Sequence, residues 1–274
     1  MSDEFDIRKT RGLIATVCLS GSVKPQFAAA LSDLRDWNSR NQFTSVEYRT
    51  FNGVLIEAAR DGVVTHALKE GYDWILQIDA DAAPFPQDSL ARMLDTCYVS
   101  SPALEVLGAY AQLKAPPHFP TIDTGTGTWE EHYPGEGVLP VIRTGCHFLL
   151  TKTNVFKRFG PPWFRTRQLP TLLTSLKEID GAARQRFHGA NPLVEVPEWN
   201  MLFHEAARSP ESFAGSGVGE DSGFFDSHRF HGGTAAVDTD LVIGHVADKI
   251  ISPIDFMKHK DDVLQRQREA LGCG

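Results

Sequence analysis

The chain holds 274 residues, 42% of them hydrophobic and 23% charged, with a formal net charge of −8. That is enough apolar material for one large domain and too much for a disordered chain, and the acidic balance argues against a general grip on duplex DNA, which needs a basic face to neutralise phosphates. Cys18, Cys97, Cys146 and Cys273 are scattered without CxxC spacing, against a zinc knot or disulfide framework, and no apolar run approaches the roughly 18 residues of a membrane span, so the composition reads as a cytoplasmic protein with reduced thiols.

LIATVCL (13–19) is β-branched and apolar, which predicts a buried parallel strand. SGSVKP follows as a turn, with Pro25 suited to the first turn of a helix. Phe27, Ala30, Leu31, Leu34 and Trp37 then recur at helical spacing. SVEYRTF (45–51) alternates as a second strand and stops at Asn52-Gly53. Ile56, Ala59, Val63 and Ala67 mark a second helix, WILQI (74–78) a third strand, Leu90, Met93, Leu94 and Cys97 a third helix, and LEVLGAY (104–110) a fourth strand. This alternation predicts an α/β, doubly wound sheet with ligands at the carboxyl ends of its strands.

Beyond it, 111–137 is irregular and rich in Pro, Gly and Thr. VLPVIRTGCHFLLTKTNVF (138–156) returns to strand and then helix, and FGPPWF (159–164) is a rigid aromatic turn. Residues 165–218 lack a clean period and read as a flexible insertion. GEDSGFFDSHRFHGG (219–233) opens a helix with Glu220 and Asp221 in its first turn, where the helix dipole favours anions. TAAVDTDLVIGHV (234–246) is a strand ending in Gly244-His245, and 248–274 carries a polar C-terminal helix.

The third strand runs straight into Asp79-Ala80-Asp81. Two carboxylates one residue apart repel, so such a site wants a cation, and hard oxygen donors suit Mg²⁺ or Mn²⁺. A helix cap and a solvated Asp would explain the pair equally well if it stood alone. Glu220 and Asp221 offer a general base, or simply complement a helix terminus. His245, after a strand and a glycine, offers a metal ligand or a satisfied core imidazole.

In this order the blocks resemble a GT-A-fold glycosyltransferase of the family-2-like kind that includes small bacterial and phage-encoded enzymes. The matching residues are the DxD at Asp79–Asp81, the block from Gly145 to Phe164, the ED pair, the terminal GH pair and Arg60-Asp61 in the second helix. The resemblance spans roughly 12–247 and implies a GT-A, Rossmann-like mixed sheet, mostly parallel and flanked by helices, with the long insertion before the ED helix. It implies one catalytic domain over 1–274: a nucleotide-binding half at 12–110, an acceptor and catalytic half at 138–247, and the C-terminal helix.

The implied activity is metal-dependent transfer of a sugar from a nucleotide-sugar, a UDP-sugar first, to an acceptor hydroxyl with inversion. Asp79, Asp81 and His245 would bind Mn²⁺ or Mg²⁺. Cys18, Ser20, Gly21, Arg60, Asp61, Asp79, Ala80 and Gly145 would bind the nucleotide donor. Asp221 would be the catalytic base, with Glu220 as its alternative, and Trp163 and Trp199 would meet the acceptor. Protein, glycan and modified nucleobase all stay open as acceptors. The rival readings are a nucleotidyltransferase, for which CLSGSVK is poor in glycine and lysine, and a non-catalytic GT-A domain that binds a nucleotide-sugar or glycan. A HAD-like phosphatase would place its DxD earlier in the chain.

Overall fold

Seven consecutive buried residues make β1 (Gly12–Cys18) a central strand, since only a strand covered on both faces can be apolar throughout. A computed structural model describes residues 6–19, 23–53, 55–114, 118–125, 130–164, 220–246 and 250–251. The expected insertion at 165–218, Ser20, Gly21, Trp199 and most of the expected C-terminal helix lie outside the described residues.

On either side of β1, in parallel register, lie β2 (Val46–Asn52) and β3 (Trp74–Asp79). Strand side chains alternate between faces, and the core divides accordingly. Ile14, Trp74, Leu76 and Ile78 pack with Phe27 and Leu34 of α1 (Pro25–Arg40) and Leu90 and Met93 of α3 (Ser89–Asp95). Leu13, Ala15, Val17 and Ile75 pack on the other face with Ala59, Val63 and Ala67 of α2 (Ile56–Glu70), joined by Phe224 and Phe225 of α4 (Glu220–Phe230). The first turn of α1 carries Pro25, and α2 ends at Gly71, whose φ of 71° lets its N–H reach the Ala67 carbonyl.

The remaining strands are β4 (Val106–Tyr110), β5 (Ile122–Asp123), β6 (Val138–Pro140), β7 (Arg143–Thr144), β8 (Phe148–Lys152), β9 (Ala235–Val242), β10 (His245–Val246) and β11 (Ile250–Ile251). The main sheet has seven strands in the order β2-β1-β3-β8-β4-β9-β6. This is the mixed, mostly parallel α/β arrangement of a Rossmann-like GT-A fold. β4 does not lie beside β3, as simple alternation would place it. β8 fills that position and runs antiparallel to both neighbours. The helix expected after β8 is a short 3₁₀ turn, Thr153–Lys157.

Antiparallel insertion has a consequence for function. It sets the entrance of β8 beside the exit of β3, so the Asp79 N–H donates to the His147 carbonyl at 2.9 Å. A parallel β8 would have carried His147 to the opposite edge of the sheet. Leu150 is fully buried at the centre of this strand. Leu150→Ala is expected to cost about 2–5 kcal/mol in urea unfolding; a loss under about 0.5 kcal/mol would contradict a central β8.

Candidate functional site

The alternation that buries Ile75 toward α2 also turns Gln77 and Asp79 to that side. Arg60, on the inward face of α2, meets them with only 1% of its surface exposed. Its Nη2 donates to both Asp79 oxygens at 2.9 and 3.2 Å, and its Nη1 to the Cys146 carbonyl at 3.2 Å and Gln77 Oε1 at 3.4 Å. Its Nε lies 3.6 Å from Glu220 Oε1 and its Nη2 3.9 Å from Asp221 Oδ1. The Phe164 ring closes over the guanidinium at 5.9 Å.

One cation thus serves three carboxylates. Burial opposes the charge on Arg60, yet Asp79 and the acidic neighbours outweigh it and raise its pKa. Burial likewise opposes ionisation of Asp79, but the charge of Arg60 holds its pKa below the ordinary carboxylate value. Glu220 carries the surplus: burial first, then Asp221, push its pKa up to about 7.

Past β3 the chain turns tightly, with Ala80 N–H donating to the Val17 carbonyl and Ala82 N–H to the Asp79 carbonyl, each at 2.9 Å. This turn projects Asp81 toward two histidines. His147 Nε2 lies 3.2 Å from the Gly244 carbonyl, and His245 Nδ1 lies 2.6 Å from the Gln112 carbonyl. A carbonyl only accepts, so each of these nitrogens carries the proton, and a neutral ring then keeps a lone pair on the other nitrogen. His245 is neutral, since burial and the adjacent His147 bring its pKa down to about 3. The remaining nitrogen of His147, Nδ1, is buried without a hydrogen-bond partner and stands 3.7 Å from Asp79 Oδ2 and 3.8 Å from Asp81 Oδ1.

Ligand atoms of Asp81, His147 and His245 all fall within 4.8 Å of one another, so the three could hold a metal ion. Backbone carbonyls that fix the tautomer of each imidazole are what a metal-binding histidine ordinarily has behind it. The orphaned Nδ1 of His147 is the local sign that the group fits a cation, because a buried acceptor without a donor is costly.

The chain at 244–246 is tied to the segment at 81–83. Ala82 pairs with His245 as an isolated bridge, and Val246 N–H donates to the Asp81 carbonyl at 2.8 Å. Ala83 N–H donates to the Gly244 carbonyl at 2.9 Å. A Cβ on Gly244 would strike the Ala83 carbonyl and come within 2.7 Å of Pro84 Cδ, so only glycine lets the strands approach this closely.

Among the sequence-predicted residues, Asp81 and His245 therefore meet, and Glu220 and Asp221 are linked to Asp79 through Arg60. Asp79 departs from its expected place as a metal ligand: both its oxygens are taken by Arg60, and His147 stands third in the cluster instead. Asp61 spends Oδ1 on the N–H groups of Trp163 and Phe164, at 3.0 Å each, and so pins the aromatic corner to α2. Trp163 is 7% exposed, and its indole N–H donates to the Phe156 and Phe159 carbonyls, so its ring packs in the core rather than forming an acceptor platform. Cys18 is buried at the end of β1, its carbonyl accepting from Gly53 N–H at 3.4 Å. A Cβ on Gly145 would sit 3.3 Å from Thr121 Oγ1.

His147, Gln112 and Lys114 are the residues that sequence reasoning missed. His147 had a signal, a lone histidine one residue before an apolar strand, but its value depended on the direction of β8.

The raised pKa of Glu220 has a definite stability signature. A carboxyl whose folded pKa rises from 4.5 to about 7 favours the fold below pH 4.5 and loses that contribution as pH climbs through 7. Relative to Glu220→Gln, the unsubstituted protein is expected to lose no more than about 3 kcal/mol across that window. Thermal melts of both at pH 4.5, 6 and 8 check this, and identical pH dependence would contradict it.

No protein-family model matches the chain, and no curated protein does. Among solved structures, the crystal structure of A197 from STIV is 17% identical, covers 89% of this chain and 91% of its own, and superposes with a TM-score of 0.53, a likeness of fold. The crystal structure of a glycosyltransferase involved in the glycosylation of the major capsid of PBCV-1 is 10% identical over 56% of this chain and 68% of its own. Its TM-score of 0.31 is too low to establish a common fold.

Proposed function

We propose that the chain is a metal-dependent glycosyltransferase that moves a sugar from a nucleotide-sugar, a UDP-sugar first, to an acceptor hydroxyl. The observation that supports this most is the convergence of Asp81, His147 and His245 at the carboxyl edge of the sheet, linked through Asp79 to a buried arginine that holds an acidic pair. Ligands of α/β sheets bind at that edge.

In this reading Asp81, His147 and His245 hold the ion, and a donor set with two imidazoles favours Mn²⁺ over Mg²⁺. When bound, the ion offsets charge on the departing diphosphate. Asp221 accepts the proton of the acceptor hydroxyl, with Glu220 as the alternative, and inversion at the sugar carbon is the expected outcome. Arg60 is a positioning residue: its ion pairs keep Asp79, Glu220 and Asp221 in register across two helices and a strand.

A thermal-shift screen of nucleotide-sugars with and without Mn²⁺ tests the binding step, and Mn²⁺-dependent sugar release tests the chemistry. Asp81→Ala is expected to fold and to lose metal-dependent stabilisation by the donor. Asp221→Asn is expected to retain that stabilisation while turnover falls about 10²-fold or more. If no nucleotide-sugar stabilises the protein in Mn²⁺ and none is turned over, the glycosyltransferase reading fails. If a different nucleotide stabilises it and no uridine nucleotide does, the choice of UDP fails.

A further inference from the structure

The segment after β4 reaches the site at two points. The Gln112 carbonyl accepts from His245 Nδ1, and two residues on, Lys114 Nζ forms an ion pair with Asp81 Oδ2. The backbone that carries Lys114 is held in place. Gln112 pairs with Pro120, Leu113 N–H donates to the Phe119 carbonyl at 2.8 Å, and His118 Nδ1 lies 2.9 Å from the Leu113 carbonyl. The Lys114 side chain is nevertheless 50% exposed, so its ammonium is half in water while its root is fixed. The other Asp81 oxygen, Oδ1, faces His147 Nδ1 at 3.8 Å. A protein cation therefore occupies one side of the carboxylate that the metal cluster would use.

We propose that Lys114 is a built-in counter-ion of this site: it neutralises Asp81 when no divalent cation is bound and, once a cation takes that carboxylate, turns to the diphosphate of the donor. The hand-over to the diphosphate rests on the glycosyl-transfer reading above; the counter-ion role does not. A half-exposed ion pair is held by only about 0–1 kcal/mol, so a divalent cation displaces it readily. The released ammonium stays tethered beside the cation by the Gln112–Pro120 bridge, where a compact point charge on a flexible stem suits a phosphate oxygen. Such an exchange avoids leaving Asp81 uncompensated in the empty site, and avoids crowding a second cation onto it when the metal is present.

The test compares the unsubstituted protein, Lys114→Met and Lys114→Arg in two titrations: Mn²⁺ alone, and inorganic pyrophosphate or UDP at saturating Mn²⁺. Lys114→Met is expected to bind Mn²⁺ alone about two- to fivefold more tightly, since a weak competitor is gone. It is expected to bind pyrophosphate and UDP roughly tenfold more weakly, the loss of one charge-assisted contact. Lys114→Arg, which keeps the charge, should stay near the unsubstituted protein in both. Mn²⁺ binding by Lys114→Met that is unchanged or weaker overturns the counter-ion role. Unchanged affinity for pyrophosphate and UDP overturns the hand-over. If the unsubstituted protein takes up Mn²⁺ but binds neither pyrophosphate nor any nucleoside diphosphate, the hand-over falls together with the glycosyl-transfer reading. That result is distinguishable because the unsubstituted protein itself then fails the second titration.

Discussion

A guanidinium with almost no exposed surface, shared by three carboxylates, is the constraint around which this site is built. A buried charge is tolerated only when paired and hydrogen-bonded, and removing one partner of such a pair typically costs about 3–5 kcal/mol. Arg60 draws together groups from distant parts of the chain: Nη1 and Nη2 hydrogen-bond to Gln77 and Asp79 of β3 and to the Cys146 carbonyl before β8, while Glu220 and Asp221 of α4 stand at ion-pair distance and Nε is left without a hydrogen bond. The ED pair sits at the sheet edge because the arginine requires it there, and the arginine stays charged because the pair is there. Burial, and after it the neighbouring Asp221 carboxylate, raise the pKa of Glu220 to about 7.

The grouping of Asp81, His147 and His245 depends on a second constraint, the direction of β8. Running antiparallel between β3 and β4, it delivers His147 to the end of β3. The return of β9 into β10 delivers His245, and Gly244 lets the two loops touch. Each histidine donates to a backbone carbonyl, which fixes which nitrogen faces Asp81. The carboxylates of the DxD turn thereby divide their work. Asp79 belongs to the arginine and organises the acidic pair, while Asp81 faces the histidines and Lys114.

Much of this was legible in the residues. The fully apolar run of β1, the helical stripe of Ala59, Val63 and Ala67, and the abrupt carboxylates after WILQI each reflect burial that a pattern can reveal. Asp81, His245, Glu220 and Asp221 stand out in the sequence because they are chemistry-bearing residues at element ends against apolar neighbours. What escaped was decided by tertiary pairing. Strand direction is not written in a five-residue apolar segment, so the pattern alone does not set β8 beside β3 or bring His147 to the site. Trp163 and Asp61 read as surface ligand residues, yet their partners are backbone groups brought close only by the fold. Lys114 lay in a stretch without periodicity, where no pattern points to a partner 33 residues earlier.

The most direct measurement is the position of the ion itself, by anomalous scattering from crystals grown with Mn²⁺ and a nucleoside diphosphate. The account predicts manganese bound by Asp81, His147 Nδ1 and His245 Nε2, with Asp79 still on Arg60. Manganese bridging Asp79 and Asp81, with His147 outside its coordination, would contradict it.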